Sequence, residues 1–309
     1  MMGLKIIKTS RYVPPKIVTN DEFAKIMDTS DEWIRSRTGI ETRRFAEDED
    51  TSDLALKAVE KFRDEDLSNV DVVLVATFTP DLITPSIASM IQKELNIKNE
   101  SIAFDFNMAC SGFVAGLKVM DSLLDTGKRG ILVGAETISK VLDMEDRTTS
   151  ILFGDGAGAA LVEKNEEKSF FDIGSSGDFE SLHALGRVNN PDRDVALRME
   201  GKAVFRFATN IMVESVFKVL EKANLEYEDI DYYVFHQANK RIIEHVRKKL
   251  GLDENKFYMN LQNYGNTSAA SIPIALDEMN EKGYFRENMK IVLSGFGGGL
   301  SWASTVITW

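Results

Sequence analysis

DFNMACSGF, residues 105–113, holds the chain's one cysteine, Cys110, at a junction between two periodicities. Ser101 to Phe106 is apolar and β-prone, whereas Ser111 to Leu124 repeats apolar residues at helical spacing. A strand ending into a helix places Cys110 at the positive end of a helix dipole, where a thiolate is stabilised and its pKa is expected to fall. The small neighbours Ala109, Ser111 and Gly112 leave backbone amides free to approach whatever the sulfur attacks. Those are the needs of a nucleophilic thiol. A free cysteine that packs as a small buried hydrophobe fits this segment equally well.

Two further positions favour the nucleophile. His236, one of three histidines, ends the apolar run Asp231–Phe235 and opens HQANKRII, the start of a helix. Asn266 stands in NYGNTSAASIP, after a glycine-containing turn and ahead of another helix. A single histidine at such a place is more often solvated or part of a core. Cys, His and Asn together, each at the mouth of an element, read as a site in an α/β fold.

Composition removes several other functions. At 309 residues the chain can bury one large core or two fused ones. Its 43% hydrophobic and 28% charged residues are those of an ordinary globular protein. A single cysteine excludes an internal disulfide and fits a reducing cytoplasm. The opening MMGLKIIKTSRYVPP lacks the apolar run and cleavage site of a signal peptide. No window approaches the roughly 18 apolar residues of a membrane span. A net charge of −12 argues against general nucleic-acid binding. No Cys/His cluster has metal-ligand spacing, so no metal is expected.

The pattern of elements occurs twice. Helix 54–62, strand 71–77, helix 86–95, strand 101–106, the Cys110 helix and strand 131–135 make up the first half. Helix 204–223, strand 231–235, helix 239–250, a short strand at 257–259, helix 267–279 and strand 291–294 make up the second. Each half closes with a glycine-rich turn and a last strand, GDGAGAALV from Gly154 and GFGGGLSWASTVI from Gly295. The charged stretch Glu163–Lys168 is the expected joint, giving halves 1–163 and 164–309. Superposing the halves sets Asn266 about where Cys110 lies, so a pseudo-twofold axis would bring the two helix starts together. GDGAG lacks G-x-G-x-x-G spacing and leads into a strand, which excludes a dinucleotide fingerprint. GFGGG offers bare backbone N–H groups suited to an oxyanion hole. Helix 239–250 sets Arg241, His245 and Lys248 on one face, with Arg247 and Lys249 beside them.

ACSGF, HQANKRI, YGNTSAASIP, GFGGGLSW, LFGDGAGA and DTSDEWIRSRTGI, in that family's order, resemble the 3-oxoacyl-[acyl-carrier-protein] synthase III family across nearly the whole chain. The resemblance implies a thiolase fold, two similar halves in five layers α-β-α-β-α, assembled as a homodimer. It implies a cytoplasmic acyltransferase that condenses an acyl-CoA primer with malonyl-acyl carrier protein through an acyl-cysteine, initiating fatty-acid synthesis. By this match Cys110 is the nucleophile, His236 and Asn266 its partners, and the N–H groups of Cys110 and Gly298 the oxyanion hole. Trp33 and Arg147 match the pair that sandwiches the adenine of coenzyme A, and Thr29, Arg37, Gly201 and Asn239 match tunnel positions. Arg241 and Arg206, with Lys248 and Lys249 nearby, form the expected carrier-protein face.

The chain departs from the family pattern in two places. The segment between Phe62 and Val70 is shorter than in many relatives. Thr84 stands where many members have a phenylalanine that closes the acyl pocket of the neighbouring subunit, so primers beyond acetyl are expected unless Leu82 or Ile83 closes it. Two rival readings share the fold: a ketosynthase of a polyketide, quinolone or olefin pathway, and a non-catalytic partner subunit. The second would lack the nucleophile, which this chain retains.

Overall fold

The computed structural model describes residues 3–186 and 196–309. Five strands form the first sheet: β1 (Leu4–Tyr12), β2 (Val70–Ala76), β3 (Ile102–Phe106), β4 (Arg129–Glu136) and β5 (Gly156–Lys164), in the order β1-β5-β4-β2-β3. Four form the second: β6 (Phe170–Ser175), β7 (Tyr232–Phe235), β8 (Lys290–Gly297) and β9 (Ser301–Thr308), in the order β6-β9-β8-β7. The order and the senses agree. β2 runs parallel to β3 and β4, and β7 runs parallel to β8; the remaining neighbours in each sheet are antiparallel. The expected strand at 257–259 is a single parallel bridge, Tyr233 to Phe257, at the position that β3 holds in the first sheet. Strands β1 and β6, absent from the sequence reading, occupy equivalent edges.

Alternation along the strands builds the layers. Val73, Val75, Ile131 and Val133 face α2 (Thr51–Val59) and α3 (Ile87–Glu94), after α1 (Asp31–Thr38) in the chain. Val72, Leu74 and Leu132 face the opposite way, onto α4 (Gly112–Leu123). Helices α5 (Gly201–Ala223) and α6 (Lys240–Leu250) cover Tyr233, Phe235, Val292 and Val306 on the outside of the second sheet. Val234, Ile291 and Leu293 turn inward to share one core with α4 and α7 (Ser271–Glu281). The result is the five-layer α-β-α-β-α thiolase fold. Both faces of each sheet are buried, which is why the strands read as continuous apolar runs. Each fully buried Val, Leu or Ile side chain contributes about 1.5–3 kcal/mol relative to exposure.

The central helices touch where their N-termini meet, and that contact needs small residues. A Cβ on Gly112 would come within 2.9 Å of the Ala76 Cβ and 3.4 Å of the Ala269 Cβ. One on Gly134 of β4 would stand 2.3 Å from the Ala269 carbonyl oxygen, a backbone atom unable to swing aside. Gly134→Ala is therefore expected to destabilise the fold by about 1–3 kcal/mol through overpacking. A urea midpoint unchanged from that of the parent would contradict this close approach.

Candidate active site

Strand β3 ends at Phe106, a one-turn 3-10 helix covers Ala109–Ser111, and α4 follows at once. The turn is sharp because Ala109 adopts φ 45°, held there by the Asn107 side chain, whose Oδ1 accepts the Ala109 N–H at 2.9 Å. A left-handed alanine costs about 1–3 kcal/mol, and such strain persists only where the surroundings fix it. Ser111 helps to fix it: its hydroxyl meets Met108 O at 2.8 Å and Ser301 Oγ at 2.9 Å. Cys110 consequently sits at the start of the central helix, only 7% exposed.

The second half repeats this turn. Ser268 adopts φ 50°, its N–H bonds Asn266 Oδ1 at 2.8 Å, and a 3-10 turn Ser268–Ala270 leads into α7. The structural counterpart of Asn266 is thus Asn107, and that of Cys110 is Ala269. This corrects the expected superposition of Asn266 on Cys110, because the two turns align on their left-handed residues. The role of Asn266 in the geometry also becomes specific. With Oδ1 engaged by a backbone N–H, its Nδ2 is the end available to the cavity that Asn266 lines.

His236 follows β7 and is 1% exposed. Its ring meets Phe296 edge-on at 5.4 Å between centroids, and its Nδ1 lies 2.7 Å from Ser271 Oγ. Among the described residues Nε2 has no hydrogen-bond partner. Burial pushes the imidazole down to about 3, so it is neutral near pH 7. Burial pushes the Cys110 thiol the other way, up to about 12; buried Glu136 adds to the rise, and the Ser268 hydroxyl opposes it. That reverses the sequence expectation of a lowered thiol pKa. The helix end favours the thiolate, but enclosure removes the water that would solvate it. Glu136, which sequence reading overlooked, is itself raised to about 8 by burial. Its carboxyl accepts from Thr79 Oγ1 at 2.6 Å and Thr77 Oγ1 at 3.1 Å, which anchors the segment leading to Thr84.

Cys110, His236 and Asn266 lie together in a cavity of about 780 Å³. Trp33, Arg37, Arg147, Gly201, Asn239, Arg206 and Arg241 line the same cavity. Arg147 stacks its guanidinium 4.7 Å from the Trp33 ring and donates to Asp28 O at 2.6 Å. An aromatic ring entering between them would have to open the pair to roughly 7 Å, two van der Waals contacts. Asn239 caps α6 through the Arg241 N–H and donates to Arg37 O at 3.2 Å, joining two rim residues. Phe153, Leu182, Met199 and Phe205 supply apolar wall that no motif signalled.

Several expected residues lie outside this lining. Thr29 adjoins Asp28, which receives Arg147, but does not reach the cavity. Gly297 is the glycine of the triplet that lines it. A Cβ there would stand 2.6 Å from Cys110 N, so Gly297 itself packs against that amide. Lys248 and Lys249 are exposed farther along α6, with Lys249 Nζ 3.0 Å from Asn210 Oδ1. Arg247 turns away from that face to Glu244 at 3.0 Å. Thr84 is exposed on the turn after Leu82 and Ile83.

With this geometry in place, the chain can be set beside known proteins. The family model described as 3-oxoacyl-[acyl-carrier-protein (ACP)] synthase III matches residues 104–177, and the model of its C-terminal part matches residues 220–309. A beta-ketoacyl-[acyl-carrier-protein] synthase III of Clostridium acetobutylicum is 48% identical over 324 residues, covering 100% of this chain and 99% of the relative. The crystal structure of a 3-oxoacyl-[acyl-carrier-protein] synthase III from Aquifex aeolicus VF5 superposes with a TM-score of 0.91 at 40% identity, covering 99% of this chain and 100% of that one. A beta-ketoacyl-[acyl-carrier-protein] synthase III from Thermus thermophilus gives 0.92 at 42% identity, covering 98% of each chain.

Burial of His236 makes a prediction about pH. Its folded pKa lies below the ordinary 6.5, so its contribution to stability is complete above 6.5 and is lost as pH falls toward about 3. Proton NMR should show no titration of this imidazole between about pH 8 and about pH 5. A midpoint near the ordinary value would contradict the closed, dry setting.

Proposed function

The chain belongs to the 3-oxoacyl-[acyl-carrier-protein] synthase III family of condensing acyltransferases, and from that premise we propose that it joins an acyl-CoA primer to malonyl-acyl carrier protein at Cys110. The observation that carries this reading is the meeting of Cys110, His236 and Asn266 in a cavity that also reaches Trp33 and Arg147. The product is a 3-oxoacyl-carrier protein, the first condensation product of fatty-acid synthesis. No cofactor beyond the thioester substrates is required.

Acyl-CoA enters with its adenine opening the Trp33–Arg147 pair and its pantetheine passing Arg37, Gly201 and Asn239, with Thr29 behind the rim. The Cys110 sulfur attacks the thioester carbonyl. The oxyanion accepts hydrogen bonds from the Cys110 and Gly298 N–H groups, and the field at the α4 N-terminus favours its charge. Collapse breaks the bond to the coenzyme A sulfur. The thiol's proton ends on that sulfur, which leaves as the coenzyme A thiol, so the half-reaction takes up and releases no net proton.

Malonyl-carrier protein then takes the vacated cavity. Its carboxylate leaves as carbon dioxide, and the electron pair of the broken C–C bond moves to the thioester oxygen as an enolate. Neutral His236, through Nε2, and Asn266, through Nδ2, donate hydrogen bonds to that oxygen. The enolate carbon attacks the acyl-cysteine, forming the new C–C bond and expelling the Cys110 sulfur, which regains a proton.

Primer size and assembly are read together. The outer edge of β3 carries half-exposed apolar residues, with Ile102 48% exposed, and lies unpaired among the described residues. Ile83 on the preceding turn is 80% exposed. Uncovered apolar edges of this kind are what a second copy would bury, and a homodimer would bring Thr84 toward the neighbour's acyl pocket. A threonine there leaves more room than a phenylalanine. The single cysteine fits a cytoplasmic setting.

Mass spectrometry of the intact protein after exposure to acetyl-, isobutyryl- and hexanoyl-CoA tests nucleophile and primer together. Cys110 should carry each acyl group, and Cys110→Ser should carry none, because an alcohol is a far weaker nucleophile. His236→Ala and Asn266→Ala should still load while condensation falls by about a hundredfold or more. Loading lost in His236→Ala, or acetyl accepted alone, would contradict the assigned roles or the open pocket respectively.

Carrier-protein docking is assigned to the cavity mouth, where Arg206 and Arg241 are exposed and Lys248 and Lys249 extend the positive face. Arg241 packs 5.9 Å from the Phe205 ring, which holds its charge at the rim. Arg241→Glu should raise the KM for malonyl-carrier protein about tenfold and leave acyl loading from acyl-CoA nearly unchanged. Salt should mimic the change, since exposed charges are screened over about 8–10 Å. Equal loss of both half-reactions would point to a structural role instead.

A further inference from the structure

We propose that Ser271 is the positioning residue that selects the tautomer of His236, so that Nε2 carries the proton and faces the cavity as a donor. The argument is a count of donors and acceptors. Ser271 Oγ has one proton to give and two lone pairs. It accepts the backbone N–H of Gln237 at 3.3 Å and lies 2.7 Å from His236 Nδ1, and among the described residues it has no third partner.

Two arrangements are possible at Nδ1. If Nδ1 carried the proton, Ser271 Oγ would accept two N–H groups, and its own O–H would be buried with nothing to receive it. If Ser271 donates to Nδ1, the imidazole proton must sit on Nε2, and only that N–H lacks a partner, whereas the first arrangement leaves both the Ser271 O–H and the Nε2 lone pair unmet. Buried polar groups left without partners are costly, so the arrangement that leaves one rather than two prevails. Nε2 is then the one ring atom without a partner, which is where the cavity begins.

The surroundings fix this geometry from both sides. Gln237 cannot turn its N–H elsewhere, because its side chain is held at three points. Nε2 donates to Phe235 O at 2.7 Å and Tyr258 O at 3.2 Å, while Oε1 accepts Asn260 N–H at 3.0 Å. The His236 backbone is tied to Ser294 O at 2.8 Å. Ser271 is itself the first residue of α7, three positions after the Ser268 N–H that orients Asn266. One helix start therefore sets the direction of both donors, His236 Nε2–H and Asn266 Nδ2–H.

The tautomer stands on geometry alone, whereas its catalytic consequence rests on the decarboxylation role proposed above for His236. Two measurements keep them apart. In protein labelled with nitrogen-15 histidine, only three side chains contribute signals. His236 should give a protonated, pyrrole-type Nε2 and an unprotonated, pyridine-type Nδ1. A proton on Nδ1, or fast exchange between tautomers, would overturn the assignment.

In Ser271→Ala the Nδ1 resonance should move toward that of a nitrogen without a hydrogen bond. Decarboxylation of malonyl-carrier protein should fall about ten- to a hundredfold through misorientation of the donor, while acyl loading of Cys110 stays within about threefold. Ser271→Thr, which keeps the hydroxyl, should restore the Nδ1 shift and most of the decarboxylation. Unchanged decarboxylation in Ser271→Ala, or equal loss of loading and decarboxylation, would overturn the positioning role. If the tautomer is as stated but His236→Ala decarboxylates normally, the functional role of His236 fails and the structural assignment survives.

Discussion

The site depends on the contact between two turns of the same construction, Asn107–Ala109 and Asn266–Ser268, at the meeting point of the central helices. Each turn forces a non-glycine residue into the left-handed region, and each is held by an asparagine that accepts the N–H two residues on. Neither would persist alone at that cost. They are fixed because the close approach at Gly112 and Gly134 leaves the chain no room to relax. The same contact sets Cys110 at one helix start and Asn266 just before the other, which brings together residues more than 150 positions apart in sequence.

Enclosure then decides the chemistry. The burial that raises the thiol also lowers the imidazole, so both groups rest in their neutral forms. A neutral thiol matches a transfer in which the departing sulfur takes the proton. A neutral imidazole with a bare Nε2 matches hydrogen-bond donation to a forming enolate rather than proton abstraction. On the proposed reading, acyl transfer and decarboxylation are served by different atoms in one cavity. Strand β8 links the two, because Phe296 packs against His236 and Gly297 lies against the Cys110 amide.

Much of this was legible in the sequence, for physical reasons. Buried strands read as apolar runs and amphipathic helices as 3.6-residue periods, so the order of elements around Cys110, His236 and Asn266 emerges directly. β1 was harder, because Lys5, Lys8 and Arg11 interrupt its apolar residues; β6 was missed beside the charged stretch that precedes it. The 257–259 segment has β-prone residues but makes only one bridge. The thiol's direction of shift was misread because a helix dipole is a local signal, whereas burial is a property of the assembled core. Ser271 and Glu136 carried no signal at all: each acts through contacts across 35 or more residues.

The central claim is that the Cys110 sulfur holds the primer and the His236–Asn266 pair decarboxylates the extender, as separable functions of one cavity. The most direct test is carbon dioxide release from malonyl-carrier protein by a Cys110→Ala enzyme supplied with no primer. The account predicts continued release, with acetyl-carrier protein as the product and no 3-oxoacyl product formed. Release that vanishes together with the thiol would contradict it.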